Sequence, residues 1–520
     1  MTIPEFVQKL TEAAPGNQPV EMDLLPSLRV GIYPRSVNQL GNDVFFLGRE
    51  GLEKFLYVLS PAEGSQHVDR FQGELVGAIS LVESAVLKRC PMNHPNADTL
   101  RQLLDFTRPV LIGLHDSIGL GDRLGVANAG HLRAVAGTNM RPVLAQQSIR
   151  ELERTERQAE EVMDAAMWAV LQEGYKDGWG ADADHLKTTD DISRMVKSGY
   201  LMFTVDPGDY VVNEADALPE DELAWRARDL QWDVLEDSYE SFLERYVNVQ
   251  FDIAPDFFLR AAGEEVLRAL VKYGDVIAHT VRMVRYLTSR YPDHPYELEL
   301  SVDETESVTS PFEHFMVASE LERLGIQLIS LAPRFVGAME KGIDYKGDLN
   351  YFKAEYLKHL QIAEKLGPYK LSFHSGSDKF SLYRTVGSLG RGHVHVKTAG
   401  TSYLEALRTL TTTDPGLFRE ILDFARKHYE TEKATYHVSA ELERVPPAGD
   451  LNDDQLPGLL DQDDARQVLH VTFGKVLTMK NSAGKTLFKD RIMASLREHE
   501  QVYNDCLRSH FRRHIEPFIQ

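Results

Sequence analysis

Acidic and imidazole side chains recur at the ends of short apolar runs through the middle of this chain. GADADH brings Asp182, Asp184 and His185 together, FTVDPGD carries Asp206 and Asp209, and ELELSVDET carries Glu297, Glu299, Asp303 and Glu304. Further on, APRFVG holds Arg334, MEKGIDYKGD holds Lys341 and Asp344, FHSGSDKF holds His374, Ser375, Asp378 and Lys379, and HVHVKTAGTS holds His393, His395 and Lys397. In an extended segment, side chains two apart share a face. Glu299, Ser301 and Asp303 therefore point one way, and Leu298, Leu300 and Val302 the other. A buried carboxylate is costly unless it is paired, protonated or bound to metal. Two imidazoles with one or two carboxylates suit Zn²⁺, Mn²⁺, Co²⁺ or Ni²⁺ better than Ca²⁺, because imidazole favours borderline cations. His185, Glu299 and His374 are the candidate ligands. No H-x-x-x-H or H-E-x-x-H spacing joins these three, so they can converge only through the fold. Plainer roles exist for the same residues: a hydrogen-bonded strand-end histidine, a cap at Asp182 or Asp184, a turn at Asp303, a solvated loop lysine at Lys341.

The elements that must position these residues alternate in type. Short apolar segments at Val110–Leu114, Pro142–Gln146, Gly180–Asp184, Tyr200–Val205, Glu297–Val302, Gln327–Ala332, Lys370–His374 and His393–Lys397 read as strands. Amphipathic stretches such as Ile149–Glu173, Phe315–Leu324, Leu349–Leu366 and Tyr403–Arg408 separate most of them. Eight strand–helix units predict a TIM-like (β/α)8 barrel, with reactive residues where strands end and loops begin. A doubly wound open sheet would give the same alternation. The expected organisation is an N-terminal α/β cap over 1–105, a catalytic barrel over 106–410 with a helical insertion at 206–296, and a mostly helical region over 411–520. Within the cap, Leu28–Tyr33, Val44–Gly48 and Phe55–Ser60 read as apolar runs and Val68–Arg89 as a helix. Val468–Thr472 reads as a short strand, and 444–464 as the most linker-like stretch.

Composition removes several function classes. The chain has 57 Lys+Arg against 79 Asp+Glu, a net charge of −22, which disfavours nucleic acid or an anionic membrane as partner. One local basic pocket would still admit an anionic small molecule. Two cysteines, Cys90 and Cys506, exclude a disulfide framework or a Cys-ligated zinc site. No apolar run of about 18 residues and no signal-like N-terminus is present, so a cytoplasmic protein is expected. GLGDRLG (119–125) fits neither a P-loop nor a dinucleotide fingerprint, though its backbone amides could bind an anion. HSGSDK is no nucleophile elbow. Met163, Met167 and Trp168 read as core.

Several long blocks together resemble the tagaturonate epimerase family: GLGDRLGVANAGHLRAV, PVLAQQSIRELERT, EGYKDGWGADADHLK, FTVDPGDYV, SVDETESVTSP, EKGIDYKGDL, SFHSGSDKFSLY and HVKTAGTSYLEA. They run from about residue 117 to 407. The resemblance implies a TIM-barrel-like fold, a divalent metal and a 5-keto sugar-acid substrate. It makes His185 and His374 metal ligands, Asp184 the proton acceptor and Glu299 the proton donor. Arg123, Gln146, Asp303, Arg334, Lys341, Asp344, Ser375, Asp378 and Lys379 are the expected substrate contacts, with Lys341, Lys379, Arg123 and Arg334 as candidates for the substrate carboxylate.

D-Tagaturonate and D-fructuronate differ at C3, which is β to the C5 ketone. That C–H is not acidified, so enolisation cannot invert it. Retro-aldol cleavage of C3–C4 and re-addition is the expected route. It needs a Lewis acid on the ketone side and an acid/base pair for the C3 hydroxyl. Transient oxidation by a nicotinamide is disfavoured by the missing fingerprint. A metal-dependent aldolase or ketose isomerase is the alternative activity, and a non-catalytic sugar-binding protein the third. The sequence leaves the oligomeric state open.

Overall fold

The computed structural model describes residues 2–13, 18–61, 65, 67–78 and 85–519. Eight parallel strands close into a barrel: Ser117–Leu120, Arg141–Ser148, Gly180–Leu186, Met202–Val205, Glu297–Val302, Ser330–Pro333, Lys370–Phe373 and Val394–Thr398. The last pairs with the first, His395 opposite Ser117 and Thr398 opposite Leu120, and this closes the ring. The fifth strand has the predicted two faces: Leu298, Leu300 and Val302 in the apolar core, Glu299 in the lumen against Ser330 of the sixth strand.

The first strand is not Val110–Leu114 but Ser117–Leu120. LIGLHDSIGL offers two similar apolar triplets, and only the second finds neighbours on both sides. The first instead closes the N-terminal end of the barrel. Gly113 donates its N–H to Glu297, Ile112 packs over Gly180, and Val110 and Leu111 stay exposed. The expected single helix over Ile149–Glu173 is two, Ile149–Thr155 and Ala159–Glu173. The break falls at Glu156, whose φ is 53°, and Arg157 turns inward to the Asp122 carbonyl.

A seven-stranded sheet covers the N-terminal hundred residues. Its strand Asp43–Glu50 reads as an unbroken apolar run because both faces are buried. Val44 and Phe46 meet Phe6 and Leu10 of the helix Ile3–Glu12, while Phe45 and Leu47 join the core that continues into the barrel. The predicted helix Val68–Arg89 is wrong: the segment holds the strands Glu74–Ala78 and Ala85–Pro91, with 79–84 outside the described residues. Antiparallel pairing to Glu53–Pro61 overrides the helical pattern there.

Between the fourth and fifth strands lie Glu220–Arg228, Tyr239–Tyr246, a hairpin of Phe251–Ala254 with Phe257–Leu259, and the 28-residue helix Gly263–Arg290. After the barrel the chain is helical, including Pro415–Glu432, Asp463–Val471, Lys489–Glu498 and Glu500–Ile515. Val468–Thr472 is thus helix rather than strand. All seven residues from Ala465 to Val471 are buried, so no polar face marks the helical period. The stretch 444–464 is no open linker, since Val445, Ala448, Leu456, Leu459 and Leu460 are buried. Among the described residues no helix is long and apolar enough to cross a membrane.

Candidate active site

Inward-facing residues of four strands meet near the C-terminal end of the barrel. The third strand points Asp182 and Asp184 into the lumen, the fourth Thr204, the fifth Glu299 and the eighth Lys397, all buried. Lys397 Nζ lies 2.8 Å from Asp182, 2.8 Å from Asp184 and 2.6 Å from Glu299, and donates to Thr204 Oγ1 at 2.8 Å. His374, just past the seventh strand, places Nε2 2.6 Å from Glu299 and Nδ1 3.3 Å from Asp303. His185 takes a left-handed backbone, φ 52°, and sets Nδ1 3.2 Å from Asp206 and Nε2 3.8 Å from Asp184. The two imidazoles meet edge to face, ring centres 4.9 Å apart. Asp184, His185 and His374 each offer a donor atom, all within 4.8 Å of one another.

The field in this cluster separates its carboxylates. Burial pushes Asp182 up to about 6. Burial also opposes ionisation of Asp184 and Glu299, but Lys397 and the neighbouring imidazoles outweigh it and hold both below the usual range. Burial opposes charge on Lys397 too, yet its three carboxylates raise its proton affinity well above normal. His374 resists protonation through burial and Lys397, but Asp303 and Glu299 prevail and raise it to about 10. The cluster is therefore strongly cation-seeking.

The expected substrate contacts divide. Gln146 donates to Asp184 Oδ2 at 3.0 Å, Asp303 lies against His374, and Lys341 reaches Ser375 at 3.0 Å beside His374. Arg334 follows the sixth strand, half-buried, with no ion-pair partner among the described residues. Arg123 is buried against Glu151. The others have structural partners: Asp344 caps the start of the helix Phe380–Gly387 through Ser381, and Lys379 donates to the carbonyls of Glu340, Ile343 and Ser377. Asp378 pairs with Arg466 at 2.6 Å and His510 at 2.5 Å. Asp378, His510 and His514 form a second acid–histidine trio, but His514 Nε2 already accepts the Asp378 N–H at 2.9 Å. The amides after Gly121 are engaged as well: Leu124, Gly125 and Ala127 all donate to Asp122.

Asp182 and Lys397 stood out in the sequence as strand-end polar residues but had no assigned role, and Thr204 was missed. The alternation in HVHVKT carried the signal for Lys397, two residues beyond His395 on the same strand face.

Comparison with known proteins bears on the family and the fold. A sequence profile of the tagaturonate epimerase family matches residues 33–518. A curated tagaturonate/fructuronate epimerase from Thermotoga maritima is 38% identical over 491 residues, covering 93% of this chain and 96% of the relative. The native crystal structure of the fructuronate-tagaturonate epimerase UxaE from Cohnella laeviribosi superposes with a TM-score of 0.86 at 38% identity, covering 94% of this chain and 96% of that one. A one-glycerol complex of the same enzyme matches at 0.86 and 37%, with the same coverage. A fold shared along nearly the whole chain, at this identity, places the protein in the tagaturonate epimerase family.

Proposed function

We propose that this chain interconverts D-tagaturonate and D-fructuronate by inverting C3 of the 5-keto sugar acid, as a cytoplasmic enzyme of hexuronate catabolism. The convergence of Asp184, His185, Glu299 and His374 around Lys397 at the barrel mouth carries this reading.

The donor set fits a divalent cation. Two imidazoles and a carboxylate within 4.8 Å, in a lumen with excess negative charge, suit Zn²⁺, Mn²⁺, Co²⁺ or Ni²⁺. His185 and His374 would hold the ion, which when bound supplies Lewis acidity to the ketone and its neighbouring hydroxyl.

The remaining chemistry belongs to protein side chains. Asp184, kept ionised by Lys397, takes the C3 hydroxyl proton. The C3–C4 electron pair moves toward the ketone, leaving an aldehyde at C3 and an enediolate over C4–C5. The aldehyde turns its opposite face, and C3–C4 forms again. Glu299 returns a proton to the new C3 alkoxide. Glu299 is ionised at rest, so it must first acquire that proton. Lys397 Nζ, 2.8 Å from Asp184 and 2.6 Å from Glu299, connects the two and lets the roles exchange in the reverse direction.

The test is turnover of D-tagaturonate in D₂O, followed by NMR. Fructuronate without deuterium at C3, and a cross-aldol product with an added aldehyde, are expected. Deuterium at C3 would overturn the cleavage route, and accumulating cleavage products would mark an aldolase instead.

A further inference from the structure

Resting on that reading of the activity, we infer that the substrate carboxylate is bound at the N-terminus of the helix Thr401–Thr413 by Arg123, His470 and Lys341. This helix follows the eighth strand, at the barrel face where the loops after strands seven and eight commonly hold an anion. Its N-cap is Gly400, which provides no side-chain cap, and its first-turn amides present the positive end of the helix dipole.

Buried, unpaired donors gather at this point. Arg123 is 3% exposed; Nε and Nη2 hold Glu151 at 2.9 and 2.8 Å, while Nη1 has no partner. Its guanidinium lies 3.6 Å over the Phe473 ring, which fixes its plane. His470 is 2% exposed, and its Nδ1 has no partner. The ring sits directly on the cap residue: a Cβ on Gly400 would fall 2.4 Å from Nδ1. The hydroxyls of Thr401 and Tyr403, in the first turn of the same helix, are also buried and unpartnered. Buried polar atoms ordinarily have partners, so four orphans around one helix start point to a ligand. Lys341 Nζ, on Ser375 Oγ, extends the cationic wall toward His374.

Charge and distance along the substrate agree. Burial, then Arg123, Lys341 and Arg466, keep His470 neutral, so the ring acts as a neutral donor among cations. The carboxylate carbon is two bonds from C3, so its pocket must adjoin the catalytic cluster, as the run Lys341–Ser375–His374 does. The competing groups are engaged: Lys379 binds three carbonyls, and the amides after Gly121 bind Asp122. Arg334 remains the rival cation.

The variants are His470→Leu, His470→Asn, Lys341→Gln and Arg334→Gln. Their KM for D-tagaturonate is compared with the Ki of D-tagatose, a neutral ketohexose with a hydroxymethyl in place of the carboxylate. Loss of a charge-assisted bond predicts a KM increase of about ten- to hundredfold for His470→Leu and Lys341→Gln, with the D-tagatose Ki unchanged. His470→Asn, whose amide can stand where Nδ1 stood, should recover much of the loss. Lys341 is on a half-exposed loop, so its variant should fold even if His470→Leu does not. Unchanged KM in Lys341→Gln and the His470 variants, equal weakening of acid and neutral sugar, or an effect confined to Arg334→Gln would overturn the assignment. Turnover by the unmodified enzyme tests the activity separately. If turnover is absent, the same acid-to-neutral ratio is read from equilibrium binding.

Discussion

Lys397 Nζ lies 2.6 Å from Glu299 Oε1 inside the barrel, and the same ammonium stands 2.8 Å from Asp184. One buried cation thus joins the two carboxylates given opposite proton-transfer roles. Lys397→Met would remove the one cation shared by three buried carboxylates, leaving Asp182 without an ion-pair partner. Removing one partner of a buried pair costs about 3–5 kcal/mol, and the loss of proton traffic should lower kcat by about 10²- to 10⁴-fold. Urea denaturation and steady-state kinetics measure the two losses. Adding Asp182→Asn should recover part of the stability and none of the turnover, because Asp182 is the acid already nearest neutrality.

Asp184→Asn and Glu299→Gln keep the shape and most hydrogen bonds of the originals. Each should reduce kcat by about 10²- to 10⁴-fold with KM little changed, the signature of an interaction used in the transition state. A variant retaining a tenth of wild-type turnover would show that the proton job lies elsewhere.

Chelation should abolish turnover, and Mn²⁺, Co²⁺, Zn²⁺ or Ni²⁺ should restore it. Metal analysis should find one ion per chain, lost in His185→Ala and His374→Ala. His514→Ala should leave metal content unchanged, because its trio is satisfied by Arg466 and by the Asp378 amide. Two ions per chain would contradict this account.

His510 supplies a pH dependence of stability. It lies between Asp378 at 2.5 Å and Glu405 at 3.0 Å, with His514 and Arg466 close by. Burial disfavours its charge, but the two carboxylates prevail and raise it to about 9. The folded value exceeds the ordinary 6.5, so the stabilisation is complete below about pH 6.5 and fades as pH rises through about 9. Its size is on the order of 1–3 kcal/mol. Comparing the Tm of the wild type and His510→Gln across pH 6–10 should show the difference shrinking toward high pH. A constant difference would refute the ionised pair.

Most of the barrel was legible because its lumen is polar. Strands such as GADADHL and ELELSV alternate acid with small or apolar residues, and that period exposes both the strand and its inward face. The first strand was not legible, since Val110–Leu114 and Ser117–Leu120 have similar local character and only long-range pairing distinguishes them. Asp184, His185, Glu299 and His374 could be named from blocks shared with a family, yet no local spacing joined them. His470 was hidden for a different reason. It lies on a helix buried on every side, where periodicity vanishes, and it reaches Gly400 only through the fold.

The loop after the seventh strand is held by Arg466 and His510, both supplied by the helices that follow the barrel. During synthesis all eight staves therefore leave the ribosome well before the pieces that lock Asp378. A nascent chain paused at that stage would own every stave of the cylinder, while Asp378 still lacked the ion-pair partners that the finished molecule gives it.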